Sequence, residues 1–497
     1  MSENKESAAN ANPVAYLTAA DDALEFLNQQ CDTGNAPRGL ADIRHKVDRR
    51  ILPFMFCCYF LQFIDKVMYN YAGVMGMKTD LKLKGNNFSN AASAFFIAYL
   101  VAEVPNVYFL QKIPPAKWLG FNVICWGIAA AAAAGAKDYT TLLIARIFLG
   151  IFEATVGPSL MLISSQYYTK SEQAPRFTFW FLGLGVAQII GGIISFAFQH
   201  VHSKFASWRI MFLVMGLITV VVGFTTVLYL PDTPMQAKWL SDDEKVALLQ
   251  HTRVNQTGIR NSKFNSRQLL EAVLDVQVWL FCLMVALQAV SSGVVIAYSS
   301  TLIAGFGFGG PISALLNAPS GIVSIFFTLL VGIGIRKASN RWAWVFICSI
   351  PGIIGGGLMS FLPKDNRAGI LAGIYLVNAI VAPLPVIYHW VAANCAGYTK
   401  RAFASAAVAG FFCVGNIIGP QTFQDRDAPE YRPAKISVLA TQAAAAVLAV
   451  VLFVYYIKEN RSRERFQTSS GGEDQISDEA AWGGLTDKEN QNFRYVY

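Results

Sequence analysis

Charge is scarce in this chain. Asp, Glu, Lys and Arg make up 14% of its 497 residues, where a soluble globular domain carries about a quarter, so ions cannot cover a large apolar surface. Hydrophobic residues amount to 54%, with 39 glycines besides, which excludes disorder, coiled coil and a single water-soluble core. The 8 cysteines have no spaced His or Cys partners. Those at 57, 58, 125, 282, 348, 395 and 413 fall inside apolar runs, so a disulfide framework is excluded and small buried hydrophobes are expected. No nucleophile stands beside a base, no metal-ligand spacing recurs and no loop is built to cradle phosphate, which argues against an enzyme and against a cofactor. The net charge of +8 is spread between apolar runs and not gathered in one patch, so nucleic acid is not an expected partner.

What is present is apolar sequence in blocks. A membrane-spanning helix needs ~20 mostly apolar residues, and twelve stretches qualify: 51–76, 88–110, 117–136, 140–166, 176–200, 208–230, 276–304, 311–335, 342–362, 369–395, 402–423 and 435–457. The expected fold class is therefore an all-α membrane protein of twelve transmembrane helices. Its longest internal polar stretch, 231–275, divides the helices into a bundle at 51–230 and a second at 276–457, the layout of two six-helix pseudo-repeats. Residues 1–50 form a polar tail with no signal-peptide pattern, and 458–497 a Gly/Ser/Asp/Glu-rich tail expected to be mobile. An even number of spans puts both termini on one side, and most of the 40 Lys and Arg fall on that side, so both tails are expected to be cytoplasmic. Within the central loop, Ser241 followed by Asp242, Asp243 and Glu244 reads as a capped, acid-started short helix.

Against that background a few buried charges stand out. Asp65 and Lys66 lie in span 1, Glu103 in span 2, and Arg146 and Glu153 in span 4; ionisable groups at such depth cost at least ~2.5–3.5 kcal/mol each and mark function by default. Arg146 and Glu153 are seven residues apart, two turns and ~10 Å on one helix face, too far for a tight pair, so each needs another partner. A guanidinium facing a central cavity is a bidentate seat for a carboxylate, and a glutamate beside it is a group able to exchange protons. Asp65 and Lys66 sit about 100° apart round the helix and are not expected to share a target. Glu103 opens Glu103-Val104-Pro105-Asn106, where polar neighbours serve a backbone loosened by proline. The second half offers amides, Gln288, Asn317, Asn378, Asn416 and Gln421, with His389 read as a hydrogen-bonded packing residue. Asn416 and Gln421 lie in a stretch weakened by Gly415, Gly419 and Pro420, where a binding site can open.

The chain resembles the major facilitator superfamily, within it the anion:cation symporter group, and there the fungal allantoate permease family. The resemblance rests on Ile64-Asp65-Lys66 with Asn70-Tyr71-Ala72, Glu103-Val104-Pro105, the Arg146, Gly150, Glu153 and Pro158 of span 4, Leu230-Pro231-Asp232-Thr233-Pro234, Asn317-Ala318-Pro319, Thr399-Lys400-Arg401, the run from Asn416 to Gln421, and the tail Leu485 to Asn490. It covers roughly residue 45 to the last residue, and the shared order of the pieces is what makes it specific. The resemblance implies proton-coupled import of a small organic anion by alternating access, with Arg146 on the substrate carboxylate and Asp65 and Glu153 carrying the protons. The wider family often has arginine where this chain has Lys66, and a lysine lacks the planar fork.

The expectation is thus a secondary transporter driven by the proton gradient. Arg146, Lys66, Asn416, Gln421 and Gln288 face the substrate; Glu153 and Asp65 couple protons. The cargo is a ureide, vitamin carboxylate or short peptide, carried by a monomer in the lipid bilayer of the plasma membrane. Its rivals are an exporter of an acidic secondary metabolite and a non-transporting nutrient sensor.

Overall fold

The computed structural model describes residues 39–201, 203–252, 265–363, 365–428, 430–469, 486–490 and 492–497. Most of the N-terminal tail, Cys31 and the middle of the C-terminal tail lie outside the described residues. Among the described residues are twelve helices long and apolar enough to cross a membrane: spans 1 to 12 are Leu40–Val74, Asn87–Leu110, Pro115–Ala133, Tyr139–Tyr167, Arg176–Gln199, Ser207–Tyr229, Val276–Gly305, Gly310–Ile335, Arg341–Phe361, Arg367–Asn394, Thr399–Gln421 and Arg432–Arg465. The expected all-helical architecture is the observed one.

Three spans are interrupted, each at a proline that removes a backbone donor. Span 4 breaks after Glu153 and resumes at Val156, two residues before Pro158; span 8 breaks before Pro319; span 10 passes through a 3₁₀ turn, Asn378–Val381, before Pro383. A proline leaves the carbonyl four residues earlier without its helical partner. In span 8 the N–H of Ala318 takes that carbonyl, Leu315 O, at 3.0 Å, and in span 10 Ala382 takes Ala379 O at 3.2 Å. The kinks therefore leave no orphaned carbonyl at these positions.

Spans 1 and 12 run beyond their apolar cores. Span 1 has 35 residues, ~52 Å at 1.5 Å each against a ~30 Å hydrocarbon layer, so its first turns stand clear of it. There Arg176 grips Asp48 through two bonds of 2.7 Å, Lys46 meets Glu244 of the helix Asp242–Thr252 at 2.9 Å, and Arg44 and His251 converge on Glu172 at 2.7 and 3.0 Å. The expected cap forms: Ser241 Oγ accepts from the N–H of Glu244, and a Glu244 carboxylate oxygen accepts from the N–H of Ser241. The charges of the central segment thus fasten it beneath the first half.

The second half has its own fastening at the same end. Here the expectation of a mobile C-terminal tail is corrected for its described residues: the last helix continues to Ser469, and residues 486–490 and 492–497 pack under spans 7, 10, 11 and 12. Lys400, wholly buried, sits 2.7 Å from Glu271, 2.6 Å from Asp275 and 2.8 Å from Asp487. Ligand oxygens of those carboxylates lie within 4.8 Å of one another, and the lysine ammonium fills the place between them. Asp487 also accepts from Gln277 at 2.9 Å and from the Tyr495 hydroxyl at 2.7 Å, while Trp390 and Asn394 donate to Val496 O at 2.8 and 2.9 Å. The tail looked mobile because its composition is polar; its order comes from a buried cation that its own aspartate helps to neutralise. Cysteines follow expectation except Cys57, which faces outward from span 1, and Cys125, which is half-buried.

Burial alone would raise the Asp275 carboxyl, but the Lys400 ammonium, Gln277 and Lys488 outweigh it and hold the group below the usual carboxylate range. A depressed folded value adds stability above the unfolded pKa of about 3.9, and that stability is lost as pH falls through the folded value. Thermal melting of the detergent-solubilised protein should accordingly lose this contribution only below about pH 4. Lys400→Met leaves the carboxylates facing one another without their cation and should cost ~3–5 kcal/mol at neutral pH; part of that loss returns on acidification, reversing the wild-type trend. Unchanged melting of the variant would remove the lysine from its structural role.

Candidate functional site

Span 1 presents Gln62, Asp65, Lys66 and Tyr69 on its buried side, and span 4 presents Arg146 and Glu153. What brings span 4 against span 2 is Gly150: a side chain there would strike the backbone carbonyl of Phe95. The close approach places the Arg146 guanidinium between two rings, 4.4 Å from the centroid of Tyr69 and 4.7 Å from that of Phe95. Its Nε and Nη1 atoms are enclosed and have no hydrogen-bond partner. The guanidinium is thus gripped by aromatic faces with donors left over.

Lys66 forms an ion pair with Glu153. Its ammonium also donates to Gln62 O one turn back at 3.2 Å and lies 5.2 Å from the centre of Phe95. Gln62 Nε2 reaches over to Glu153 O at 3.3 Å, in the last turn before the break in span 4. The other carboxylate oxygen of Glu153 and both oxygens of Asp65 accept no hydrogen bond from an N–H or O–H, while the two carboxyl groups approach each other closely enough to interact directly. Such a contact is favourable only with a proton on one of them. Asp65 is within electrostatic range of Arg146 and Lys66 as well. The expectation that Asp65 and Lys66 serve different targets is therefore corrected: the four-carbon stem of lysine folds back along the helix and covers the 100° between them, so both reach Glu153.

Arg146, Lys66, Asp65 and Glu153 thus form one buried cluster of two cations and two carboxylates, in which two guanidinium nitrogens of Arg146, Nε and Nη1, have no hydrogen-bond partner. A model of the Major Facilitator Superfamily matches residues 55–420. The chain belongs to the major facilitator superfamily. It is 38% identical to the thiamine pathway transporter THI73 of Saccharomyces cerevisiae, across 99% of this chain and 98% of that one. It is 29% identical to the allantoate permease of the same yeast, across 97% and 91%, and 26% identical to that yeast's high affinity cysteine transporter, across 90% and 85%. This facilitator therefore sits among fungal transporters of the allantoate permease group, and it is a transporter and not an enzyme. Among solved structures, a D-xylose–proton symporter aligns with TM-score 0.62 at 13% identity over 80% of this chain and 96% of the other. A bacterial homologue of the human lysosomal transporter Spinster aligns at 0.61 and 17% identity over 82% and 97%. Both show the shared fold.

The facilitator's other expected site residues lie elsewhere. Gln288 turns to span 9 and donates to Ser349 at 3.1 Å. Asn416 is buried against span 7, close to Gly293, and donates to Phe412 O of its own helix at 2.9 Å. Gln421 bonds Ser93 at 2.9 Å and Asn90 at 3.2 Å at the end of the bundle remote from the termini. None of the three makes a described contact with the four charged residues, because they lie on faces or at depths that sequence spacing does not reveal. His389 accepts from Arg341 at 3.0 Å, as its reading as a hydrogen-bonded packing residue anticipated, though it is exposed. Residues overlooked in the sequence are Gln62, Tyr69 and Phe95; the spacing of Gln62, Asp65, Lys66 and Tyr69 along one helix face was the signal for two of them.

Gln421 belongs to a closure between the halves. At that remote end Asn70 donates to Ser299 Oγ at 2.7 Å and accepts from Ser300 N at 3.1 Å. Ser89 meets the Tyr298 hydroxyl and donates to Phe423 O at 3.1 Å, and Ser93 donates to Ile417 O at 2.9 Å. Deeper, Gln188 of span 5 donates to Asn378 at 2.8 Å and Asn317 of span 8 to the Tyr71 hydroxyl at 3.2 Å. The hydrogen bonds across the halves at this end are between neutral groups, with the Lys78 ammonium lying 5.6 Å from the centre of the Tyr298 ring beside them.

The Lys66–Glu153 pair is open to a double-mutant cycle. Lys66→Met alone strands a buried carboxylate and should cost ~3–5 kcal/mol, whereas adding Glu153→Gln should restore most of the loss. Melting temperatures of the purified variants measure the coupling, and strictly additive single effects would show that the pair contributes nothing.

Proposed function

We propose that this transporter carries a small carboxylate-bearing nutrient, such as a ureide, vitamin carboxylate or short peptide, inward together with protons across the plasma membrane. The observation that carries the reading is the buried Arg146 guanidinium, held between Tyr69 and Phe95 with Nε and Nη1 unpartnered, next to carboxyls that need a proton to coexist. A buried donor set left unsatisfied costs free energy until an acceptor arrives, and a carboxylate is the acceptor whose shape and charge fit a guanidinium. Asp65 and Glu153 supply the coupling. When protonated they leave Arg146 free to hold the anion; when one proton is lost, the new negative charge competes for Arg146 and releases the cargo.

With both termini in the cytoplasm, the hydrogen-bonded end formed by Asn70, Ser89, Ser93 and Gln421 faces outside, and the structure is closed to that side. Rocking of one half against the other exposes the site alternately. The protein works as a monomer with the proton gradient as its energy source and needs no cofactor. Two of the relatives, an allantoate permease and a cysteine transporter, are named for small carboxylate-bearing solutes, which fits the reading.

Uptake of labelled organic acids into proteoliposomes, at acidic and neutral outside pH, tests the reading. Uphill accumulation should require the inward proton gradient and collapse with a protonophore; insensitivity for every acid transported would exclude symport. Arg146→Ala should raise the substrate dissociation constant at least about tenfold, ~1.4 kcal/mol, and wild-type affinity would take Arg146 out of the site. Glu153→Gln should abolish uphill accumulation while preserving counterflow exchange; undiminished accumulation would assign the proton to another group.

A further inference from the structure

Span 2 has one face turned outward, marked by Ile97, Val101, Val104 and Tyr108 at 50%, 68%, 76% and 54% exposure. Phe95, Tyr99 and Glu103, spaced four apart, fall on the other side at 100° per residue. Phe95 is the ring that touches both Arg146 and Lys66. Tyr99 is within electrostatic range of Glu153 and Glu103 together, and Glu103 is within the same range of Tyr388 of span 10 and Cys413 of span 11. The carboxylate therefore lies in the cleft between the halves, on the stripe that begins at the Arg146 cradle. It accepts no described hydrogen bond and joins no described ion pair. The backbone-satisfying role expected from its place before Pro105 is not what is seen: near that proline it is Asn106 that accepts, from Trp118 at 3.3 Å and Thr155 at 2.7 Å.

With Glu103 included, the cleft holds two cations, Lys66 and Arg146, against three carboxylates. A cargo bearing only negative charge would leave Glu103 without a counter-ion, and a half-buried carboxylate so placed is unfavourable unless it gains a cation. Phe95 and Glu103 are eight residues apart, ~12 Å along the helix, a separation on the scale of a dipeptide or an extended amino acid.

We propose that Glu103 is a specificity-determining residue that receives the cationic group of a zwitterionic substrate whose carboxylate rests on Arg146. This inference depends on the carboxylate seat argued above and narrows its cargo to compounds carrying a protonated amine as well as an acid, such as dipeptides or ω-amino acids.

The test uses the purified full-length protein in nanodiscs and a panel of dipeptides and ω-amino acids, each paired with its N-acetylated form, which keeps the carboxylate and loses the positive charge. Affinity is read by isothermal titration and by ligand-induced shifts in melting temperature. At least one zwitterion should bind about tenfold or more tightly than its N-acetyl partner. Glu103→Gln should reduce that preference to within about twofold without weakening the N-acetyl acid, Glu103→Asp should keep part of it, and Arg146→Ala should lose both ligands. The unliganded melting temperature of Glu103→Gln controls for folding. Equal binding of the paired compounds by the wild type, or a preference that survives Glu103→Gln, overturns the assignment of Glu103 while leaving the carboxylate seat standing. Failure of every compound to bind overturns both.

Discussion

The contact between Lys66 and Glu153 is the interaction on which the first half is organised. It links span 1 to span 4 at the point where span 4 breaks, and it takes the only flexible cation of the cluster. Arg146 is thereby left with neither of the neighbouring carboxylates as a hydrogen-bonded partner, and its charge is held by the faces of Tyr69 and Phe95. A ring face stabilises a cation without filling its donor positions, so the guanidinium is fixed in place and still has N–H groups to offer.

The two ends of the bundle are fastened by different chemistry. At the termini end, charged groups bind each half to its own peripheral segment: Arg176, Arg44 and Lys46 hold the central helix and span 5 to span 1, while Lys400 holds spans 7 and 11 to the C-terminal residues. At the other end the contacts run between halves and are made by serine, asparagine, glutamine and tyrosine. Buried charged clusters are costly to break because each member would be stranded; neutral hydrogen bonds exchange for water with a small net change. On the proposed reading, opening takes place at the boundary between the halves, where the contacts are weakest. Where spans 5 and 8 cross that boundary, Gly185 and Gly321 lie so close that a side chain on either would meet the other's carbonyl. With so little side chain to interlock, the two helices are free to slide.

How much of this the sequence displays follows from how costly each feature is. Twelve apolar stretches and five charges within them are conspicuous because membrane burial makes every exception expensive, and Asp65, Lys66, Arg146 and Glu153 indeed meet. What spacing cannot supply is direction. Helical periodicity places Asp65 and Lys66 100° apart, yet says nothing of a lysine stem long enough to fold back. Amides carry no such cost signal: Gln188, whose hydrogen bond to Asn378 crosses the halves, stands out in the sequence no more than Gln288 or Gln421. The tail was the largest misreading. Composition marked it as mobile, and only the three-dimensional position of Lys400 shows that Asp487 and Tyr495 have a buried place waiting.

Glu103 shows the same principle from the other side. Proline two residues later offered a local reason for a polar residue, and local reasons are the ones a sequence makes visible. Its actual surroundings, Tyr99 on its own helix with Tyr388 and Cys413 across the cleft, come from three spans that lie far apart along the chain. A half-buried carboxylate with no described counter-ion is costly, and a cationic group on the cargo would offset that cost. On the proposed reading Asp65 and Glu153 take the protons, since two carboxyls in contact hold one readily. The charge that arrives with the cargo and leaves with it is then the one for which Glu103 is placed, which makes the unsatisfied groups of the cleft, guanidinium at one end and carboxylate at the other, a negative image of the molecule it carries.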